Sequence, residues 1–216
     1  MADIKAYKPE NNSISSGQVL QTAYSFEKAR LVVREMADAL SLDLVSKGLV
    51  ADQLVLTIGY DIENLTDHKR QKAYKGEYST DFYGRKVPKH AHGSINLSRQ
   101  TSSTVLITNA AMELFDRIVD PALLVRRMYV VANHVVSEDM AAKAPQAEQL
   151  DLFTDYKALE QQRKAEQEQL EKEKRRQGAV LEIQQKFGKN AVFKGSSLAD
   201  GATARERNEQ IGGHKA

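Results

Sequence analysis

Gln53-Leu-Val-Leu-Thr-Ile-Gly-Tyr-Asp-Ile62 alternates without a break. Leu54, Leu56, Ile58, Tyr60 and Ile62 face one way; Gln53, Val55, Thr57, Gly59 and Asp61 face the other. A side-chain period of two is that of a strand buried on one face only.

Upstream the period changes. Phe26, Ala29, Val33, Met36, Ala37, Leu40 and Leu44 recur at helical spacing. Ser25 can cap this helix, Glu27 sits near the positive end of its dipole, and Gly48 is a reasonable stop. Before it, Ser13 to Gln21 reads as a strand, in which Gly17 suggests a bulge or a close approach of backbone to a ligand. Residues 1–12 carry Pro9, Asn11 and Asn12 and read as a linker.

Downstream, His90 to Ser98 is a second alternating strand, with Ile95 and Leu97 toward the core and His92, Ser94, Asn96 and Ser98 opposite. Ser103 or Thr104 can cap a second helix with the stripe Ile107, Ala111, Leu114, Phe115 and Ile118. Asp120-Pro121 ends it, since the residue before proline avoids helical dihedrals. Leu123 to Val136 is the last strand, with Met128, Val130, Ala132 and Val136 on one face and His134 among them. The order strand, helix, strand, strand, helix, strand predicts an α+β fold, βαββαβ, with four strands and both helices on one face. The other face is open, and these registers put Arg127, Asn96, Ser98 and Asn133 on it.

The chain has 216 residues, 31 Lys and Arg against 29 Asp and Glu, and no cysteine. Disulfides and thiolate metal sites are therefore excluded. No apolar run resembles a signal peptide or reaches membrane-spanning length, which predicts a cytoplasmic protein with no membrane partner. Charge is uneven. Between His68 and His92 lie Lys69, Arg70, Lys72, Lys75, Arg85, Lys86 and Lys89 against Glu77 and Asp81, interleaved with Tyr74, Tyr78, Phe82 and Tyr83. Basic residues among aromatics fit a phosphate-facing patch, but on the sequence alone a solvated loop is the favoured reading.

The globular pattern ends near residue 137. Residues 138–153 read as a linker, and residues 154–216 as a charged helical or disordered tail. Tyr156 to Arg176 is dense in Glu, Gln, Lys and Arg, as in a solitary helix held by neighbouring charge pairs. Leu159 and Leu170 do not continue into heptads. Val180, Leu181, Ile183, Gln184 and Phe187 form a short amphipathic stretch, and Asn190 to Ala216 has no core pattern. Inside the linker, Gln149-Leu150-Asp151-Leu152-Phe153 sets three bulky apolar residues in polar surroundings. Such a motif on a tether suits a partner with apolar pockets. It resembles the peptide by which bacterial polymerases and repair proteins bind the sliding clamp of replication.

Catalytic chemistry is hard to place. Asp61 and Glu63 could share a face, but phosphoryl transfer on paired cations needs a further carboxylate. His90 and His92 could hold a metal, although histidines beside a polyanion fit as well. No Gly-rich phosphate-cradling loop is present. The chain reads as a binding module with no cofactor, no metal site and no catalytic residue.

Ser13-Ile-Ser-Ser-Gly-Gln-Val-Leu20, the strand Gln53 to Ile62, His92-Gly-Ser-Ile-Asn-Leu97 and Leu124-Val-Arg-Arg-Met-Tyr-Val-Val131 resemble the C-terminal part of Y-family translesion DNA polymerases. The nearest type is UmuC/ImpB/MucB-like, from Gram-positive bacteria. Lys186-Phe-Gly-Lys-Asn, Gly201-Ala-Thr-Ala-Arg-Glu-Arg-Asn and Gly212-Gly-His-Lys look like the tail of that group. The resemblance implies that residues 13–137 are a little finger domain, and that Gln149, Leu150, Leu152 and Phe153 bind the clamp. It implies that Ser15, Ser16 and Gly17 offer amides and hydroxyls to DNA phosphates. Arg126 and Arg127 would grip the template backbone, and Ser98, Arg99 and Gln100 would form a turn that meets DNA. Palm, fingers and thumb, with their catalytic carboxylates, have no counterpart here. The chain is therefore expected to be a fragment, an excised domain or a truncated product, and a polymerase catalytic core would be a partner. Its expected role is DNA and clamp binding in error-prone, SOS-type lesion bypass. The alternative is a non-catalytic adaptor that competes for clamp or DNA.

Overall fold

The computed structural model describes residues 12–81, 83–143, 156–211 and 214–215. The alternating segment is β2, Leu49–Tyr60, and it is central. Around it lie β1 (Ser13–Tyr24), β5 (Ala91–Thr101) and β6 (Val125–Asn133), in the order β1-β6-β2-β5 and antiparallel throughout. A two-residue strand, β7 (Val136–Ser137), adds to β2. Helix α1 (Phe26–Ser46) joins β1 to β2, and helix α4 (Thr104–Ile118) joins β5 to β6. In each unit the two parallel strands are split by a third, so two βαβ crossovers interleave. The expected α+β fold and element order are present.

The hydrophobic pattern places the helices. Ala29, Val33, Met36, Ala37, Leu40 and Leu44 of α1 are buried against the sheet, as are Ile107, Ala111, Leu114 and Phe115 of α4. They meet Leu54, Leu56, Ile58, Met128, Val130 and Ala132 from the strands. Each of the larger side chains among these contributes roughly 1.5–3 kcal/mol when fully buried. Ser103 caps α4, its hydroxyl accepting from the Leu106 amide at 3.3 Å. Ser25 stands at the N-cap of α1, but its side chain makes no capping bond. Gly48 follows α1 at φ 64°, the left-handed conformation that ends helices on glycine.

The last strand stops earlier than its pattern suggests. His134 has φ 53° and breaks the ladder after Asn133. Its ring turns to Asp52 at 2.8 Å instead of joining the core face.

Between β2 and β5 the chain makes an excursion at one end of the sheet. It contains α2 (Glu63–Thr66), α3 (His68–Ala73) and a hairpin of β3 (Tyr78–Thr80) and β4 (Lys86–Pro88). Asn64 ties it down, bonding to Leu124 through both its amide and carbonyl groups.

After β7 come α5 (Glu138–Lys143) and, beyond the undescribed segment, α6 (Tyr156–Phe187). Two short 3-10 turns and α7 (Ala204–Asn208) follow, then a two-strand ladder of β8 (Gln210–Ile211) and β9 (His214–Lys215). The charged segment forms helix α6. It is not solitary: Glu173 and Gln177 are 7% and 6% exposed, seated on the start of α4. Among the described residues no helix is long and apolar enough to cross a membrane.

Candidate nucleic-acid face and the seated tail

Strand pairing fixes four rows across the open face. Ser13, Asn133, Gln53 and Asn96 form the first. Ser15, Val131, Val55 and Ser94 form the second, and Gly17, Tyr129, Thr57 and His92 the third. Val19, Arg127 and Gly59 make the fourth. The polar members bond sideways: Gln53 donates to Asn96 at 2.9 Å and accepts from Asn133 at 3.1 Å. Thr57 and His92 meet at 2.8 Å.

Two glycines make room on this face. A Cβ on Gly17 would lie 2.7 Å from the Tyr129 ring, and one on Gly59 would lie 2.5 Å from Arg127 Cγ. Gly17 thus admits a cross-strand aromatic of the same domain, where the sequence suggested a bulge or a ligand; the β1 irregularity falls later, between Val19 and Tyr24. Gly59 lets the Arg127 side chain lie across β2. Among the described residues no carboxylate pairs with Arg127.

The site residues implied by the resemblance divide. Ser15 and Gly17 face the open side on β1, an edge strand with outward-pointing backbone groups. Ser16 alternates to the helix side. Arg126 and Arg127 are placed differently. The ladder skips from Arg127 opposite Gly59 to Val125 opposite Tyr60, so Arg126 is the extra residue of a bulge. Bulges re-aim side chains, and Arg126 reaches Asp61 at 3.6 Å. Ser98, Arg99 and Gln100 are not a turn, because β5 continues to Thr101. Ser98 is exposed on the open face, Arg99 pairs with Glu166 of α6, and Gln100 donates to Asp52 at 2.8 Å. Gln149, Leu150, Leu152 and Phe153 lie outside the described residues.

The catalytic and metal readings find little support in side-chain geometry. Asp61 accepts from the Glu63 amide at 2.8 Å and faces Arg126, while Glu63 points to solvent. The His90 and His92 rings stand 6.4 Å apart and nearly perpendicular. Among the described residues no group of three His, Asp or Glu could hold a metal ion.

The opposite side carries a polar site that sequence reasoning missed. Glu173 accepts from the Ser103 hydroxyl at 2.6 Å and the Val105 amide at 2.9 Å, so α6 supplies a second cap to α4. Gln177 donates to Ser102 O and Thr104 Oγ1, both at 2.9 Å, and Thr104 meets Ser41 at 2.7 Å. Further along, Glu35 of α1 is 6% exposed and accepts from the Thr203 and Ala204 amides at 2.8 and 3.0 Å. Arg207 lies nearby, bonded to Gln18 at 3.1 Å. Burial pulls its pKa below the ordinary arginine value, and attraction to Glu35 and Asp38 opposes this. Lys194–Asp38 and Lys174–Glu138, both at 2.5 Å, close the periphery.

Residues 11–152 match the family model described as the impB/mucB/samB family C-terminal domain. Among solved structures, one resembling the chain is a complex of the beta-clamp processivity factor and the little finger domain of PolIV. It has 12% identity and a TM-score of 0.35, and covers 66% of this chain and 100% of that one. No curated protein matches. With residues 11–152, about two thirds of its length, inside the family model, the chain belongs to the impB/mucB/samB family and carries the C-terminal domain of such Y-family polymerases.

Proposed function

We propose that the chain is the DNA-binding and sliding-clamp-binding module of an error-prone lesion-bypass polymerase, acting in SOS-type damage tolerance. The observation that carries the DNA half is the open face. A polar grid lies beside Arg127, whose guanidinium is stretched over Gly59 with no carboxylate neutralising it among the described residues. Contacts from such a surface go to phosphates and carry no base code. Gly17, one row from Arg127, and Ser15, two rows away, lie on the same face and are its partners in this reading, while Ser98 shares the face at its far end, beyond Asn96. Arg126, Arg99 and Gln100 already hold protein groups and join only by exchanging them.

The clamp half rests on Gln149 to Phe153. Leu150, Leu152 and Phe153 would enter apolar pockets while Gln149 bonds at their rim. Both halves are open to one titration series. Arg127→Ala should flatten the salt dependence of duplex binding by about one counterion, and Arg126→Ala by less. Leu152→Ala with Phe153→Ala should lower clamp affinity on the order of a hundredfold, from the roughly 1.5–3 kcal/mol that each buried side chain contributes. Parental salt dependence in Arg127→Ala would remove the open face from the DNA reading. Parental clamp affinity in the double variant would remove the motif.

A further inference from the structure

The tail does not fill the space over α1. Between that helix, α6 and the residues after α6 it leaves a cavity of about 480 Å³. The cavity opens to water, since Ala39 of α1 lies in its wall and is exposed. Part of the wall is aliphatic. Ala39 and Leu42 stand one turn apart on α1, and Val180 and Leu181 come from α6. A concave apolar wall with a few polar groups is the usual form of a small-molecule site.

One end of the cavity is cationic. Gln184 donates to the Lys189 carbonyl at 3.3 Å. Asn190 donates to the Arg205 carbonyl at 3.1 Å and accepts from Asn208 at 2.9 Å. These bonds bring Lys189 beside α7, and both Lys189 and Arg207 line the cavity. Neither forms an ion pair among the described residues. Arg207 is largely withdrawn from water and bonds to the neutral Gln18. A buried charge is favourable only when it is met by another. The nearby acids attract Arg207 but are engaged, Glu35 by the Thr203 and Ala204 amides and Asp38 by Lys194.

The charge count limits the ligand. Acids and bases line the cavity in equal number, four each. A polyanion laid along such a wall meets acids as well as bases. One negative charge placed at the Arg207 end meets two cations that lack an ion pair.

We propose that this cavity binds a small apolar carboxylate, with its head on Arg207 and Lys189 and its hydrocarbon body against Ala39, Leu42, Val180 and Leu181. Gln18 takes one guanidinium nitrogen, and the remaining N–H groups can meet a carboxylate. Arg207 belongs to the tail, and Ala39 and Leu42 to the core. The ligand therefore fastens one to the other.

The test is titration calorimetry on the full chain with octanoate, hexanoate, octanol and acetate. Octanoate should bind at one site. Octanol lacks the charge and acetate the body, so each should bind about tenfold more weakly or worse. Hexanoate should fall behind octanoate on the order of tenfold, from about fourfold for each methylene taken out of water. Ala39→Leu adds carbons inside the cavity from an exposed helix position. It should weaken octanoate about tenfold with an unchanged melting midpoint. Lys189→Gln should cost about twofold to fivefold, and Arg207→Gln about tenfold or more. In the parent chain octanoate should raise amide-exchange protection at residues 203–208 and leave β2 as it was. No octanoate binding at millimolar concentration overturns the site, and so does equal binding of octanol. Arg207 also holds Gln18, so the other two variants carry the decision: parental octanoate affinity in both Ala39→Leu and Lys189→Gln overturns the site.

Discussion

The same core is flanked by two polar surfaces that are handled in opposite ways. On the open sheet face Gln53, Asn96 and Asn133 bond to one another and stay in contact with water. Beyond the helix layer Glu35, Ser41, Ser103 and Thr104 are covered by the tail and buried. A lateral grid in water leaves donors and acceptors able to exchange partners, as a surface for phosphates must. A covered polar group has no such freedom, because each lost bond leaves an unsatisfied group in low dielectric. The tail layer is therefore specific but not densely packed. A cavity of about 480 Å³ remains between α1, α6 and the segment after it. Polar anchors, more than a continuous apolar seam, hold the two together.

If that contrast is right, single anchors should matter far more on the covered side. Glu35→Ala should have the largest effect. It removes the acceptor for two backbone amides and a charge that attracts Arg207. Hydrogen bonds to a charged group are worth about 1.5–3 kcal/mol each. Since the two share one oxygen, about 2–3 kcal/mol of tail docking should be lost. Amide exchange resolves this: protection should fall at residues 203–208 and persist in β2. Unchanged protection there would mean that the tail is held by something other than its polar anchors.

Glu173→Ala comes next. Ser103 still caps α4 through Leu106, so the helix start survives while the Val105 amide loses its acceptor. A loss of about 1–2 kcal/mol is expected, in the range measured for caps. For a chain of this size that is a fall of roughly 2–8 °C in melting midpoint. The comparison sharpens with Gln53→Ala on the open face, where water replaces the lost partner and the midpoint should move by less than half as much.

The two surfaces also differed in legibility. The open face was readable because Gln53, Thr57, Asn96 and Asn133 alternate with core residues, and a period of two survives whatever lies outside it. The same alternation placed Arg127 and Ser98. It failed at Arg126, where one extra residue in β6 breaks the period, and at Arg99 and Gln100, where β5 runs on past the expected turn. The tail was unreadable for another reason. Its seated edge runs through Glu166, Leu170, Glu173, Gln177, Val180 and Gln184, at helical spacing. Four of those six are polar, so a search for apolar periodicity passes over them. The partners that make a glutamate fit for burial, Ser103 and the Val105 amide, are about seventy residues away in sequence.

The smallest expected effect lies where the two surfaces meet. Arg99 stands near the end of β5 beside the open face, yet Glu166 of the tail holds it. The pair is about half exposed, and such pairs contribute roughly 0–1 kcal/mol to stability. Glu166→Gln should therefore leave the melting midpoint almost unchanged. Its effect should appear in DNA binding. With Glu166 in place, phosphate must compete with a carboxylate for Arg99; with glutamine there, the guanidinium is released. Duplex affinity should rise a few-fold at low salt, and the salt slope should steepen by about one counterion. Removing any negative charge near DNA would raise affinity somewhat, so the decisive measurement is the same substitution in an Arg99→Ala background. If the gain vanishes there, α6 restrains Arg99 and the covered surface tunes the open one. If the gain persists, Glu166 acts only through the general field, and the two surfaces work independently.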